Sequence, residues 1–317
     1  MKQTIALAVD LGGTNLRIGA VNGQGEVLQM EKIAALKDRA KLLEKIAQQI
    51  DQLSSSYLAQ GDQIAGIALG FPGIVDPDKG LVHQSPHFSD WHDFAVTAYF
   101  KERFPWPVVL DNDANRIALG ELWKGAGQGL QNFLLLTLGT GVGGAVVIQG
   151  KLFHGDSGFA GELGHICIER EGVSCECGSH GCLEAYVSAT GIKDLIRNSK
   201  DDSGKTIFFR KFGDDVEHLS VQQLYEAARD GDPFAHGIFK QMGHYLGIGI
   251  ASLVNAFGIF HVLIGGGVSA AADFFIPAAK KEMSQRTYTE TAKRVQILRC
   301  QLGDNAGLIG GAFSLLR

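Results

Sequence analysis

A chain of 317 residues, 45% hydrophobic and 20% charged, has the length of two domains and the composition of an ordinary globular protein. Its formal net charge of −5 gives no general pull toward nucleic acid or an anionic membrane. Glycine is abundant (42) and proline scarce (7), which excludes collagen-like and disordered classes and points to many tight turns in an ordered fold.

In chain order, TIALAVDLGGTNLRIGAVNGQGEVL reads as strand, glycine turn, strand, Asn-Gly turn, strand. Leu42, Leu43, Ile46, Ile50 and Leu53 recur at helical spacing and predict a helix from Lys37 to Leu58. A buried strand (IAGIALGF), a Pro-Gly loop, a helix over 94–103 and a strand ending at Asp111 follow. The second half begins as the first does: NFLLLTLGTGVGGAVVIQGKLF is again strand, glycine turn, strand, turn. This echo predicts two related α/β domains with the active site between them. Residues 183–260 carry mostly helical patterns, HVLIGGG is a strand running into a turn, and GDNAGLIGGAFSLL is a last helix rich in small residues for close packing.

Residues 245–267 carry no formal charge and are long enough to span a bilayer. Asn255 and the Phe257-Gly258 break divide them into a buried helix and a short strand, so no membrane span is expected. Asp10 and Arg17 interrupt the first apolar run and no cleavage site follows, so no signal peptide is expected either.

Between residues 165 and 182 the chain places His165, Cys175, Cys177 and Cys182, the ligand inventory of a closed tetrahedral zinc site. Three ligands within eight residues need little chain closure, and the glycines and serines among them suit a ligand-presenting turn. The competing readings are scattered buried cysteines or a disulfide, for which Cys175 and Cys177 stand too close together. Glu162 and Glu184 flank the cluster, so a metal there would aim two carboxylates. Cys300 lies apart among strand-like residues and is expected simply to be buried. Reduced thiols with zinc favour a cytosolic setting.

Two glycine turns suit phosphate binding, because glycines let backbone N–H groups converge on an anion. The first holds Asp10, Gly12, Gly13, Thr14 and Asn15; the second holds Gly139, Thr140, Gly141 and Gly143. Gly139, Gly141 and Gly144 also spell G-x-G-x-x-G, but a Rossmann site requires a helix next and the β-branched AVVIQGKLF follows. Ordinary hairpin turns are the alternative for either loop alone. In VVLDNDAN, acids stand at the end of a buried strand, where a sheet delivers residues to a cleft. Asp111 or Asp113 suits a general base, and either also suits the N-cap of the following helix.

Taken together, DLGGTNLR, GFPGIVD, DNDAN, LGTGVGG, GELGH with CECGSHGCLE, IGGG and GDNAGLIGGA resemble the motifs of the ROK-family sugar kinases, within that family most like a glucokinase, over essentially the whole chain. The resemblance implies a two-domain actin-like, hexokinase-like (ribonuclease H-like) ATPase fold with an interdomain cleft that closes over sugar and ATP. It divides the chain into an N-terminal α/β domain of residues 1–115, onto which a helix over 303–317 packs back, and a larger C-terminal domain of 116–302 carrying the zinc. It makes Asp113 the base acting on the sugar's primary hydroxyl, and Gly73, Asn112, Glu162, His165 and Glu184 the sugar-binding residues. It assigns the two glycine turns and Gly265, Gly266 and Gly267 to ATP, with Asp10 near the water shell of Mg²⁺, and His165, Cys175, Cys177 and Cys182 to a structural zinc that fixes which His165 nitrogen faces the sugar. A cytoplasmic homodimer is likewise implied.

The hexose the resemblance implies is glucose, but the chain departs from the glucokinase pattern at Pro86-His87, where an Asn usually follows the Pro, so N-acetylmannosamine and N-acetylglucosamine stand as alternatives. A sugar sensor without turnover is the other alternative. A DNA-binding repressor of this family is not expected, since the DLGGT motif begins at Asp10 with no room before it for a winged helix and there is no basic footprint.

Overall fold

The computed structural model describes residues 2–85, 88–199, 206–290 and 292–317. Pro86 and His87, on which the hexose question turned, lie outside the described residues. By contacts the chain divides into two units: Met1–Gln131, Ala145–Gly161 and Cys300–Arg317 form the first, Asn132–Gly144 and Glu162–Arg299 the second.

The first unit is built on β1 (Thr4–Leu11), buried at every position after Thr4 because it lies inside a sheet. β2 (Asn15–Asn22) and β3 (Val27–Ala34) continue from it as an antiparallel meander. The turn between β2 and β3 is set by Asn22, whose Oδ1 accepts from Gln24 N and Glu26 N at 3.0 Å. α1 (Arg39–Ala59) starts two residues later than its periodicity suggests, because Asp38 caps it by accepting from Lys41 N at 2.8 Å. It buries Leu42, Leu43, Ile46, Ile50 and Leu53. β4 (Gln63–Phe71) pairs parallel with β1.

From the sequence, only a loop is expected before the next helix. The structure instead has a three-stranded antiparallel sheet of β5 (Ile74–Asp76), β6 (Leu81–Ser85) and β7 (Phe88–Phe94). Trp91, 1% exposed, anchors it with its ring 5.3 Å from that of Phe71. α2 (Val96–Lys101) and β8 (Val108–Asn112) lead into α3 (Asp113–Lys124). β8 pairs parallel with β4, giving the sheet order β3-β2-β1-β4-β8.

β9 (Phe133–Leu138), β10 (Val142–Ile148) and β11 (Lys151–Leu152) form the second meander. Helices follow: α4 (Glu184–Val187), α5 (Ala189–Asn198), α6 (Ile207–Phe212), α7 (Val221–Arg229) and α8 (Pro233–Phe257). The long apolar stretch resolves into the end of α8, stopped by Gly258 in the left-handed region (φ 64°), and β12 (His261–Gly265). Among the described residues no helix is long and apolar enough to cross a membrane. α9 (Ala272–Arg286), β13 (Gln296–Arg299) and α10 (Ala306–Leu316) complete the chain. β12 pairs parallel with β9 and β13, and the sheet order β11-β10-β9-β12-β13 repeats that of the first sheet.

α10 belongs to the first unit, where Leu308 and Ala312 cover Ala6, Ala8 and Val21 of the first sheet. It also packs directly on α3: a Cβ on Gly310 would lie 1.7 Å from Arg116 O. Only glycine permits that approach, so α3 and α10 touch backbone to backbone. Buried Glu121 of α3 secures the chain entering α10, accepting from Gln301 N and Leu302 N, each at 2.9 Å.

Candidate active site

The DNDAN motif joins the end of β8 to the start of α3. The N-cap expected from Asp111 or Asp113 is in fact Asn112, which keeps extended backbone (φ −65°, ψ 147°) while its Oδ1 accepts from Ala114 N at 2.8 Å. Its Nδ2 donates to Gly73 O at 3.0 Å, so the GFPGIVD loop and the DNDAN motif are tied through one amide. Gly73 has φ 105°, a conformation that a side chain would strain, and a Cβ there would lie 2.1 Å from Gln84 O. Asp113 is the first residue of α3, half-buried, where the helix N-terminus favours a negative charge. Asp111 turns inward instead and is 5% exposed. Burial alone would raise its carboxyl, but the His154 hydrogen bond and the Arg116 charge outweigh it and hold the group below the ordinary carboxylate range.

In the glycine turn of Asp10 to Asn15, Gly12 N donates to Asn15 O at 2.8 Å, and Lys37 Nζ donates to Gly13 O at 2.9 Å; Thr14 O accepts from Ala35 N at 2.9 Å. Burial pushes the Asp10 carboxyl up to about 6, with Arg17 Nη1 at 3.4 Å countering it and Asp304 adding to it. A carboxyl raised in the folded state stabilises the fold fully below its unfolded pKa, and that contribution is lost as pH rises through the folded pKa. Two pKa units are worth about 3 kcal/mol. The urea midpoint of Asp10→Asn is therefore expected to exceed that of the parent above pH 7, and the two to converge below about pH 4. Parallel midpoints across that window would contradict the assignment.

In the second unit, the ligand atoms of His165, Cys175, Cys177 and Cys182 all lie within 4.8 Å of one another. Cys175 Sγ is 3.7 Å from His165 Nδ1, and Cys177 Sγ is 3.7 Å from Cys182 Sγ. A zinc tetrahedron with bonds of about 2.3 Å to sulfur has S···S edges of about 3.8 Å, so the cluster has the size zinc needs. Burial pushes the Cys175 thiol up to about 12, so a thiolate there requires a cation beside it. The loop is braced by antiparallel backbone pairing of Cys167 with Cys182 and of Ser174 with His180. Cys167, which sequence reasoning left unassigned, is exposed and stands outside the ligand set. Cys300, expected to be buried, is of intermediate exposure just past β13.

Because His165 turns Nδ1 to the cysteine sulfurs, Nε2 faces the other way, 3.8 Å from Glu162 Oε2. Burial raises the Glu162 carboxyl, with His165 lowering it and Glu184 raising it further. Glu184 Oε1 is 3.9 Å from Cys175 Sγ, and its Oε2 accepts from Val142 N at 2.7 Å, between Gly141 and Gly143 of the second glycine turn. The His-Cys₃ loop and that turn are therefore joined by one carboxylate.

A pocket of about 360 Å³ in the same unit is lined by Gly139, Thr140 and Gly267, which stand in the glycine motifs, and by Ala189, Gln222 and Tyr225, which no motif announced. Gly265 ends β12, and Gly266 follows it with φ 80° as the chain turns toward Gly267. Gln222 and Tyr225 come from α7, whose start is fixed by a capping box between Ser220 and Gln223. The first unit thus gathers Gly73, Asn112 and Asp113, with Asp10 in its own turn. The second gathers His165 and the three cysteines with Glu162 and Glu184, and the turns at Gly139 and Gly267 around one pocket.

Known proteins share this architecture. The chain is 36% identical over 313 residues to a glucokinase of Halalkalibacterium halodurans, covering 97% of this chain and 93% of that one. It superposes with a TM-score of 0.83 and 31% identity on a ROK family glucokinase from Streptomyces griseus in complex with glucose and AMPPNP, covering 98% of this chain and 99% of that one. A ROK family transcriptional regulator, a homologue of the E. coli MLC protein, superposes with a TM-score of 0.88 and 29% identity over 99% of this chain and 78% of that one. The paired sheets are thus the two-domain, actin-like architecture of ROK hexokinases. The ROK family model matches residues 6–317, and the chain belongs to the ROK family.

Proposed function

We propose that the protein is a glucokinase, transferring the γ-phosphoryl group of ATP to the primary hydroxyl of glucose. The observation that carries this reading is its full-length likeness to a glucokinase bound to glucose and AMPPNP, combined with a His-Cys₃ cluster that turns His165 Nε2 and Glu162 to one side. Asp113 is the general base, its charge supported by the start of α3. Asn112 and Gly73 hold the sugar loop against that base and contribute sugar contacts. Glu162, His165 Nε2 and Glu184 recognise ring hydroxyls. The pocket at Thr140 and Gly267 takes the nucleoside end of ATP, and the glycine turns and Asp10 serve its phosphates. Magnesium, carried with ATP, neutralises charge on the transferring phosphoryl group. Zinc at His165, Cys175, Cys177 and Cys182 supplies orientation and no bond-breaking step. A cytoplasmic homodimer completes the proposal.

The likeness to a transcriptional regulator supports a second reading, a sugar-responsive protein without turnover. ADP formation separates the two. With Mg-ATP and zinc-replete protein, glucose is expected to release ADP faster than mannose, fructose, allose, N-acetylglucosamine or N-acetylmannosamine. A preference for an N-acetyl hexose would change the substrate and keep the reaction; silence on every sugar would favour the regulator reading.

A further inference from the structure

The loop after β11 contributes nothing to the reading above, yet it holds the catalytic turn. His154 Nε2 lies 3.0 Å from Asp111 Oδ2. The other oxygen of that carboxylate, Oδ1, accepts from Asn112 N at 2.8 Å and Asn115 Nδ2 at 2.7 Å. Beneath it lies Arg116, 2% exposed, whose Nε donates to Leu69 O at 3.4 Å. A buried carboxylate is tolerated only with its lone pairs satisfied and its charge compensated, so its orientation is set by these few groups. His154 is the partner that comes from outside the β8–α3 segment and remains partly exposed, at 34% of its side chain.

The same loop presses on the sugar loop. Gly158 has φ 76°, and a Cβ there would lie 1.9 Å from Val75 O, in the strand that follows Gly73. Ala160 N closes the loop by donating to His154 O at 3.0 Å. One short segment therefore contacts the strand after Gly73 at one end and the residue before Asn112 at the other.

We propose that His154 is a positioning residue for phosphoryl transfer: by donating Nε2–H to Asp111 it fixes the turn on which Asn112 and Asp113 stand. The inference rests on the kinase reading. Asp111 is two residues from Asp113, and its Oδ1 holds the N–H of the residue between them. Without the His154 donor, the carboxylate is drawn toward Asn115 and Arg116 alone, and the Asn112 peptide moves with it. Displacement of a reacting group by about 1 Å is enough to cost about 10²-fold in rate.

The test uses full-length, zinc-loaded protein and compares His154→Ala, His154→Gln, Asp111→Asn and the His154→Ala/Asp111→Asn double variant. His154→Ala is expected to lower kcat by about 10- to 100-fold, with the KM for ATP unchanged and cooperative thermal unfolding retained. Glutamine, whose amide N–H reaches the Nε2 position, should restore most of the rate. Asp111→Asn should lose a similar factor and the double variant no more than either single, since both remove one contact. A folded alanine variant with parental kcat, a glutamine variant as slow as alanine, or additive losses in the double variant would each overturn the proposal. Should the alanine variant fail to fold, a parental kcat in Asp111→Asn would overturn it by itself. Parent protein that turns over no hexose would remove the kinase reading and this inference with it; active parent with an indifferent His154 removes the inference alone.

Discussion

Asp113→Asn is expected to lower kcat by about 10²- to 10⁴-fold and to leave the KM for sugar nearly unchanged. Asparagine has almost the same shape and still offers an oxygen to Ala114 N, which Asp113 Oδ1 engages at 2.9 Å. The α3 cap belongs to Asn112 and is untouched, and so is the link from Asn112 to Gly73. What the substitution removes is the carboxylate proposed as proton acceptor. An amide cannot take the proton of an attacking hydroxyl, so the loss falls on the chemical step. Steady-state kinetics with saturating ATP and a melting curve on the same sample decide it: a folded variant that keeps its kcat would mean that another group is the base.

Cys175→Ser is expected to release zinc and reduce turnover by at least about 10²-fold. Cys175 Sγ touches both sides of the site, 3.7 Å from His165 Nδ1 and 3.9 Å from Glu184 Oε1. Without the ion, His165 has no reason to keep Nδ1 toward the sulfurs, and Nε2 then leaves its place beside Glu162. The backbone bridges between Cys167 and Cys182 and between Ser174 and His180 remain, so the loop loses its aim more than its course. Elemental analysis should find about one zinc per parent chain and none in the variant. Chelation of the parent should reproduce the loss, and added zinc should reverse it there but not in the variant. Undiminished activity in verified metal-free protein would end the orienting role assigned to the ion.

The parts of the fold that sequence made legible are those governed by local pattern. β1, β2 and β3 show as apolar runs punctuated by glycine and asparagine, and the His-Cys₃ cluster as a spacing that needs little chain between its members. β5, β6 and β7 were invisible because they are short, cross Gly80 and several Asp and His residues, and owe their order to Trp91 packing on a residue from another strand. The cap of α3 fell to Asn112, between the two acids expected for it, since only backbone angles decide which oxygen faces the free N–H groups. Gln222 and Tyr225 announced nothing because they sit on an amphipathic helix far along the chain from the glycine turns they join at the pocket.

The first unit closes with α10, and this sets an order of events during synthesis. Its sheet emerges from the ribosome early, but the face bearing Ala6, Ala8 and Val21 stays uncovered until Leu308 and Ala312 arrive. Between the two, the ribosome makes Asn132–Gly144 and Glu162–Arg299, the whole of the second unit. Counted from Asn112, where the sheet ends, to Leu308, about 5–20 residues per second makes a wait of roughly ten to forty seconds. The sheet made first is thus finished last, and in that interval its open apolar face is a surface for chaperones to hold.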